Sequence, residues 1–170
     1  MTITRILEAS QIERKLQRIA RQIAEEFLQS EEIHLVSIAG NGVPVGHRLK
    51  SILGEICEMP IVTSVITLNK NAPLEQDIHL SIALEELAHK DVVIVDDVLN
   101  SGKTLMYAVH HILSAGPSRV ATAVLVDRIH RSFPVRADFC GLSLSTNLKE
   151  HIDVTISSEP SDQDEAILRD

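Results

Sequence analysis

The run Val92–Leu105, VVIVDDVLNSGKTL, limits what this chain can fold into more than any other stretch. Val92-Val93-Ile94-Val95 has no polar alternation, so it suits a strand buried on both faces, as at the centre of a parallel sheet covered by helices. Asp96 and Asp97 come next, at the carboxyl end of that strand, which is where open α/β sheets bind their ligands. Asn100, Ser101 and Gly102 then allow a tight turn. Gly102-Lys103-Thr104 opens a helix whose unpaired N–H groups and positive dipole end favour an anion, and the hydroxyls of Ser101 and Thr104 add two donors.

Ser-Gly-Lys-Thr also matches the end of a triphosphate-binding loop. That motif requires a glycine five residues before its Gly-Lys pair, and Asp97 stands there. Two carboxylates beside a triphosphate would repel it. They are better suited to accepting hydrogen bonds from sugar hydroxyls while a phosphate rests on the N–H groups nearby, which describes a ribose 5-phosphate pocket. The plainer alternative is an ordinary strand–turn–helix with Asp97 as a cap and Gly102 as a turn glycine.

The rest of the chain supplies a frame for such a site. With 170 residues and 44% hydrophobic content, one domain over 1–170 with a substantial core is expected. Aromatic residues are only 2%, so the core is aliphatic and stacking platforms for single-stranded nucleic acid are scarce. A formal charge of −8 argues against broad adhesion to nucleic acid or anionic membranes. Cys57 and Cys140 are far apart and read as reduced thiols. With no signal-like or membrane-length apolar run, the expected address is cytoplasmic.

Ile3–Leu7 reads as a short strand. Ser10 with Glu13 forms a capping-box pattern for a helix to about Leu28 that buries Ile12, Leu16, Ile19, Ala20, Ile23 and Phe27, with Arg14, Arg18 and Arg21 on the solvated face. Ile33–Ala39 is the second strand. It runs into Gly40-Asn41-Gly42, a second anion nest, and then into a helix opened by Val43-Pro44. Ile61–Leu68 is a third strand, and the polar segment Asn69–Pro73 reads as a mobile connection. Asp77–Leu80 is a candidate strand, and Ile82–His89 is ambiguous between a helical turn and a loop. A helix from about Gly102 to Ser114, a buried strand Val120–Val126 and a last strand Ile152–Ile156 follow, and Ala166-Ile167-Leu168 is able to add an edge strand. Strands alternating with helices predict an α/β fold with a mainly parallel central sheet flanked by helices.

Two acids after an apolar strand, followed by Ser-Gly-Lys-Thr, resemble the phosphoribosyl-diphosphate signature of type I phosphoribosyltransferases. The resemblance covers essentially the whole chain. VLVDRIHRSFPVRADFCG, Val124–Gly141, is similar to the corresponding segment of the bifunctional pyrimidine operon attenuator and uracil phosphoribosyltransferase family. So are ILEASQIERKLQRIARQI near the start and the strand ending Ile66-Thr67-Leu68.

The resemblance implies a type I phosphoribosyltransferase fold with a flexible loop and a small hood. It also implies transfer of ribose 5-phosphate from phosphoribosyl diphosphate to a nucleobase, most directly uracil, in nucleotide salvage. Asp96 and Asp97 would hold the ribose and stabilise positive charge at the anomeric carbon. Val98, Leu99, Asn100, Ser101, Gly102, Lys103 and Thr104 would cradle the 5-phosphate. Ala39, Gly40, Asn41 and Gly42 would face the diphosphate, with Lys70 closing over it. Asp138, Phe139, Cys140, Gly141 and Leu142 would form the hood that receives the base. Mg2+ would be carried by the substrate, with no direct protein ligand, and the assembly would be a homodimer or higher homo-oligomer.

Several positions depart from the family pattern, and the flexible loop is shorter than is usual there. Asn41 and Lys70 stand where arginine is usual, and Asn100 stands where 6-oxopurine members have aspartate. A purine base and an RNA-binding, nucleotide-sensing regulator of pyrimidine genes are the competing functions. Gln17 and Arg21 stand where the family presents Thr and His on the first helix, and a chain at −8 with Glu25 and Glu26 on that helix offers only a short basic stripe, so only weak RNA binding is expected.

Overall fold

The computed structural model describes residues 2–170. Its centre is a six-stranded sheet in the order β4-β3-β2-β5-β6-β7. The strands are β2 (Ile33–Ile38), β3 (Ile61–Thr67), β4 (His79–Leu80), β5 (Asp91–Leu99), β6 (Arg119–Asp127) and β7 (Phe139–Ser143). All neighbours pair in parallel except β4, which returns antiparallel along β3. Val92, Val93, Ile94 and Val95 are fully buried. Val93 and Val95 join the cluster beneath α1 (Ala9–Glu26) and α2 (Gly42–Ile56), while Val92 and Ile94 join the one beneath α3 (Lys103–Leu113). Helices on both faces are what a strand without polar alternation requires, and each such side chain contributes roughly 1.5–3 kcal/mol by leaving water.

The chain winds from β2 outward to β3, then returns to the other side of β2 to form β5. This reversal opens a crevice between the carboxyl ends of β2 and β5, the usual ligand position in a sheet of this kind. The ambiguous segment 82–89 contains a 3-10 turn, Leu84–Leu87, which buries Leu87.

The ends of the chain form a sheet of their own, which corrects the edge strand expected at Ala166-Ile167-Leu168. β1 (Ile3–Glu8) and β8 (His151–Thr155) do not enter the main sheet, and β9 (Glu165–Arg169) is not an edge. Instead β9 is the middle strand of a separate three-stranded antiparallel sheet, β1-β9-β8. Its buried residues Ile152, Val154 and Ala166 join the core on the α1 and α2 side. The predicted cap is also shifted. β1 stays paired to β9 through Glu8, so α1 begins at Ala9 and Ser10 already lies in its first turn. Gln11 Oε1 accepts the Glu8 N–H at 2.9 Å, and Glu13 turns to Gln17 and Arg48. No helix among the described residues is long and apolar enough to cross a membrane.

Candidate active site

β2 pairs with β5 only as far as Ser37 and Val95, whereas β5 continues beside β6 through Asp96 to Leu99. Asp96 therefore sits at the point where β2 has just turned away. The turn after β2 presses close to it. A Cβ added at Gly42 would lie 3.0 Å from the Val95 carbonyl oxygen and 3.3 Å from Asp96 Oδ1, so glycine is what permits the approach. Gly40 has φ +96° and directs the turn, and Lys70 Nζ lies 3.9 Å from where its Cβ would be. Residues following β2, β3 and β5 thus meet in one place. A cavity of about 210 Å³ there is lined by Lys70, the run Asp96–Leu105 and Ile152 of β8.

Asp96 is buried, and its carboxylate oxygen Oδ1 accepts the N–H of Asp97 at 2.9 Å. Burial, followed by the neighbouring charge of Asp97, pushes the Asp96 carboxyl well above the usual aspartate range, and Lys70 offsets part of the rise. A cation or a set of hydroxyl donors arriving in the cavity would relieve this cost.

The expected phosphate cradle divides into two kinds of residue. Val98 and Leu99 belong to β5 and are buried. The turn itself is Asn100–Gly102, exposed at Asn100 and buried at Gly102, which lies in the left-handed region at φ +88°. Ser101 Oγ accepts the Lys103 N–H at 3.3 Å, and the Gly102 carbonyl accepts the Met106 N–H at 2.9 Å. The N–H groups of Thr104 and Leu105 have no acceptor among the described residues, as the first turn of a helix leaves them. An anion at this end of α3 would meet those donors and the dipole.

The requirement for glycine at position 102 has a second source besides the turn that the sequence implies. A Cβ there would stand 2.6 Å from Val135 Cγ1 and 3.2 Å from the Phe133 carbonyl oxygen. The hydrogen of Gly102 therefore lets the 132–135 segment close behind the turn, where Ser132 and Phe133 N–H groups donate to the Ser101 carbonyl. Gly102→Val is expected to weaken anion binding at this turn and also to lose about 1–3 kcal/mol of stability through left-handed strain and displacement of that segment. Calorimetry and urea titration read the two effects separately.

The segment after β3 carries a turn: Asn69 Oδ1 accepts the N–H groups of Asn71 and Ala72, both at 3.1 Å, and Pro73 is buried. Lys103 Nζ donates to the Asn71 carbonyl at 2.8 Å and ties this turn to the start of α3. The residues assigned to the hood, Asp138–Leu142, instead bring the chain into β7, the edge strand of the main sheet, and do not line the cavity. Phe139 packs in the core, the Asp138 carboxylate accepts the Thr122 N–H at 3.0 Å, and Gly141 passes close to the Leu125 carbonyl. The β1-β9-β8 sheet is the element that reaches the cavity. Asn41 Nδ2 donates to the Val154 carbonyl of β8 at 2.8 Å, so its amide binds the turn after β2 to that small sheet.

Arg128 and Arg131 had no assigned role. Arg131 Nη1 donates to the Asn100 carbonyl at 3.0 Å and Arg128 Nη1 to Asn100 Oδ1 at 3.1 Å, so the turn is held from behind by two guanidinium groups. In the sequence they stand within the run Val124–Gly141 that carries the family resemblance, just after a buried strand.

Comparisons with known proteins agree with this geometry. A family model described as phosphoribosyl transferase domain matches residues 2–159. A relative in Herpetosiphon aurantiacus named bifunctional protein PyrR is 34% identical, covering 99% of this chain and 98% of its own length. One of the same name in Geobacter sp. (strain M21) is 37% identical, with 92% of each covered. Among solved structures, the hypoxanthine phosphoribosyltransferase of Trypanosoma cruzi superposes with a TM-score of 0.73 at 19% identity, covering 83% of this chain and 81% of that one. A hypoxanthine-guanine phosphoribosyltransferase from Bacillus anthracis gives 0.70 at 18% identity, with 85% of each covered. The acid pair, the glycine turn at a helix start and the parallel sheet that joins them are therefore those of a chain that belongs to the phosphoribosyltransferase family.

Proposed function

We propose that residues 1–170 act as one cytoplasmic phosphoribosyltransferase domain that transfers ribose 5-phosphate from phosphoribosyl diphosphate to uracil. The observation that carries this reading is the meeting, in one cavity, of the Asp96–Asp97 pair with the open N–H groups of α3, beside the Gly40–Gly42 turn. In the reaction, a ring nitrogen of the base bonds to the anomeric carbon while the bond from that carbon to diphosphate breaks. The electron pair leaves with diphosphate, and the nitrogen loses its proton. Positive charge grows on the sugar as the bond lengthens, and the two carboxylates, which also accept the ribose hydroxyls, are placed to stabilise it. Thr104, Leu105 and the hydroxyl of Ser101 hold the 5-phosphate so that the sugar cannot turn. Lys70 neutralises the diphosphate.

Magnesium fits this donor set as an ion that arrives on the substrate. Two adjacent carboxylates supply few protein oxygens and suit an ion that keeps water and phosphate oxygens as most of its ligands. When bound, it neutralises charge on the departing diphosphate.

The choice of uracil rests on the sequence resemblance over Val124–Gly141 and on Asn100, a neutral amide where a purine site has aspartate. Diphosphate release with uracil, hypoxanthine and guanine tests it directly. Uracil is expected to give the highest kcat/KM, and preference for either purine would overturn the assignment of the base.

RNA binding is expected to be weak. Arg14, Arg18 and Arg21 are exposed, but Arg18 also donates to the Gly141 carbonyl at 2.7 Å, and Glu25 and Glu26 follow on the same helix. RNA affinity depends on neutralising phosphates, and this stripe is short. Filter binding to a pyrimidine-operon leader is expected to vanish as salt is raised, with no gain from a uridine nucleotide. Tight, nucleotide-enhanced binding at physiological salt would favour the regulator.

A further inference from the structure

Arg128 is a buried cation, 7% exposed, and no carboxylate pairs with it among the described residues. Its guanidinium is satisfied by neutral oxygens on two separate parts of the molecule. On one side Nη1 donates to Asn100 Oδ1 in the phosphate turn at 3.1 Å. On the other, Nε donates to Thr146 Oγ1 at 2.9 Å, and Nη2 to the carbonyls of Asn147 at 3.2 Å and Glu150 at 2.7 Å. Burying a guanidinium without a counter-ion is unfavourable unless its donors are met, so displacing either side exposes the other to that cost. Because arginine only donates, the Asn100 amide must turn its oxygen to Arg128, which fixes the orientation of the side chain.

The segment on the far side is built to respond as a unit. Asn147 Oδ1 accepts the N–H groups of Lys149 and Glu150, and the Asn147 N–H donates to Glu150 Oε2 at 2.7 Å. It leads directly into Ile152, which lines the same cavity as Asn100 and the acid pair. One rigid fork thus spans the turn that would hold the phosphate and the strap that forms another wall of the cavity.

We infer that Arg128 is a positioning residue that couples occupancy of the Asn100–Thr104 loop to the placement of the 146–152 segment, so that binding a sugar phosphate orders the wall facing the second reactant. The inference rests on the phosphate reading of that loop proposed above. Lysine keeps the charge at this position but cannot make the planar fork.

The test uses ribose 5-phosphate, which fills the phosphate loop without diphosphate or base, and follows amide hydrogen exchange with calorimetry in parallel. In the unaltered protein the sugar phosphate is expected to slow exchange over residues 146–152 about tenfold, within the usual range of coupling between sites. In Arg128→Lys the sugar phosphate is expected still to bind, while the slowing disappears and the KM for the base rises more than kcat falls. Asn100→Ala cuts the other arm of the link at an exposed side chain and is expected to abolish the slowing at sugar-phosphate concentrations that calorimetry shows to saturate it, so it decides the matter should Arg128→Lys not fold. Full slowing in both variants, or sugar-phosphate binding to the unaltered protein with no slowing, overturns the coupling and leaves the phosphate site intact. Failure of both ribose 5-phosphate and phosphoribosyl diphosphate to bind the unaltered protein overturns the phosphate reading itself, and the coupling with it.

Discussion

Replacing Asp96 and Asp97 together by asparagine is expected to lower turnover by about 10²–10³-fold while leaving the free protein at least as stable as before. The two effects have opposite signs for one physical reason. A buried carboxyl beside a second one is unfavourable until positive charge appears on the sugar, so the feature that serves the transition state burdens the empty fold. The pH dependence follows from the raised Asp96 pKa. Between the ordinary aspartate value of 3.8 and the raised value in the fold, the folded state holds a proton that the unfolded chain has released. Stability contributed by this group is therefore lost as pH rises through that interval, and the advantage of the double variant should grow with it. Urea titrations at acid and neutral pH check the stability, and initial rates check the turnover. A variant that loses stability on going to neutral pH as steeply as the unaltered protein would remove Asp96 as the source.

The second large effect is expected away from the cavity. Arg48 on α2 is 3% exposed and donates to Asp164 Oδ2 at 2.7 Å, to Glu13 and, at 3.4 Å, to the Ser157 carbonyl. Asp164, 2% exposed, also accepts the N–H groups of Ser157 at 3.0 Å and Ser161 at 3.3 Å, closing the loop between β8 and β9. This ion cluster joins α1, α2 and the small sheet. Arg48→Met would leave a buried carboxylate without its cation, and a loss of about 3–5 kcal/mol is expected in urea unfolding. Adding Asp164→Leu and Glu13→Gln should recover much of that loss, because removing every charged partner also removes the burial penalty. A single variant of unaltered stability would mean that the cluster does not hold the sheets together.

Local sequence was a good guide wherever the governing interaction is local. Val92–Val95 states two-sided burial in its composition, the spacing of Ile12, Leu16, Ile19 and Ile23 states a helical face, and Asp96 to Thr104 spans the chemistry of one strand end. The resemblance over Val124–Gly141 carried the family but not the local geometry. Those residues entered as a hood, whereas β7 continues the main sheet because Phe139 pairs beside Ala123 and fills the core. The small sheet was illegible for a related reason. Ile3 pairs with Arg169 across nearly the whole chain, and alternation in a short strand shows that it pairs without showing with what. Arg128 and Arg48 were missed because a single arginine looks the same in sequence whether it is solvated or buried against distant carbonyls and carboxylates. The role of Gly102 was half legible: its left-handed turn follows from the motif, but the close approach of Val135 is a tertiary contact.

The most direct measurement is a single turnover of phosphoribosyl diphosphate, magnesium and uracil with enzyme in excess, followed by phosphorus resonance so that every phosphate is accounted for. The predicted result is uridine monophosphate and free diphosphate in equal amounts, at a rate lowered by the Asp96→Asn, Asp97→Asn double variant. Phosphoribosyl diphosphate that stays bound and intact in the presence of uracil, hypoxanthine and guanine alike would contradict transfer at this site.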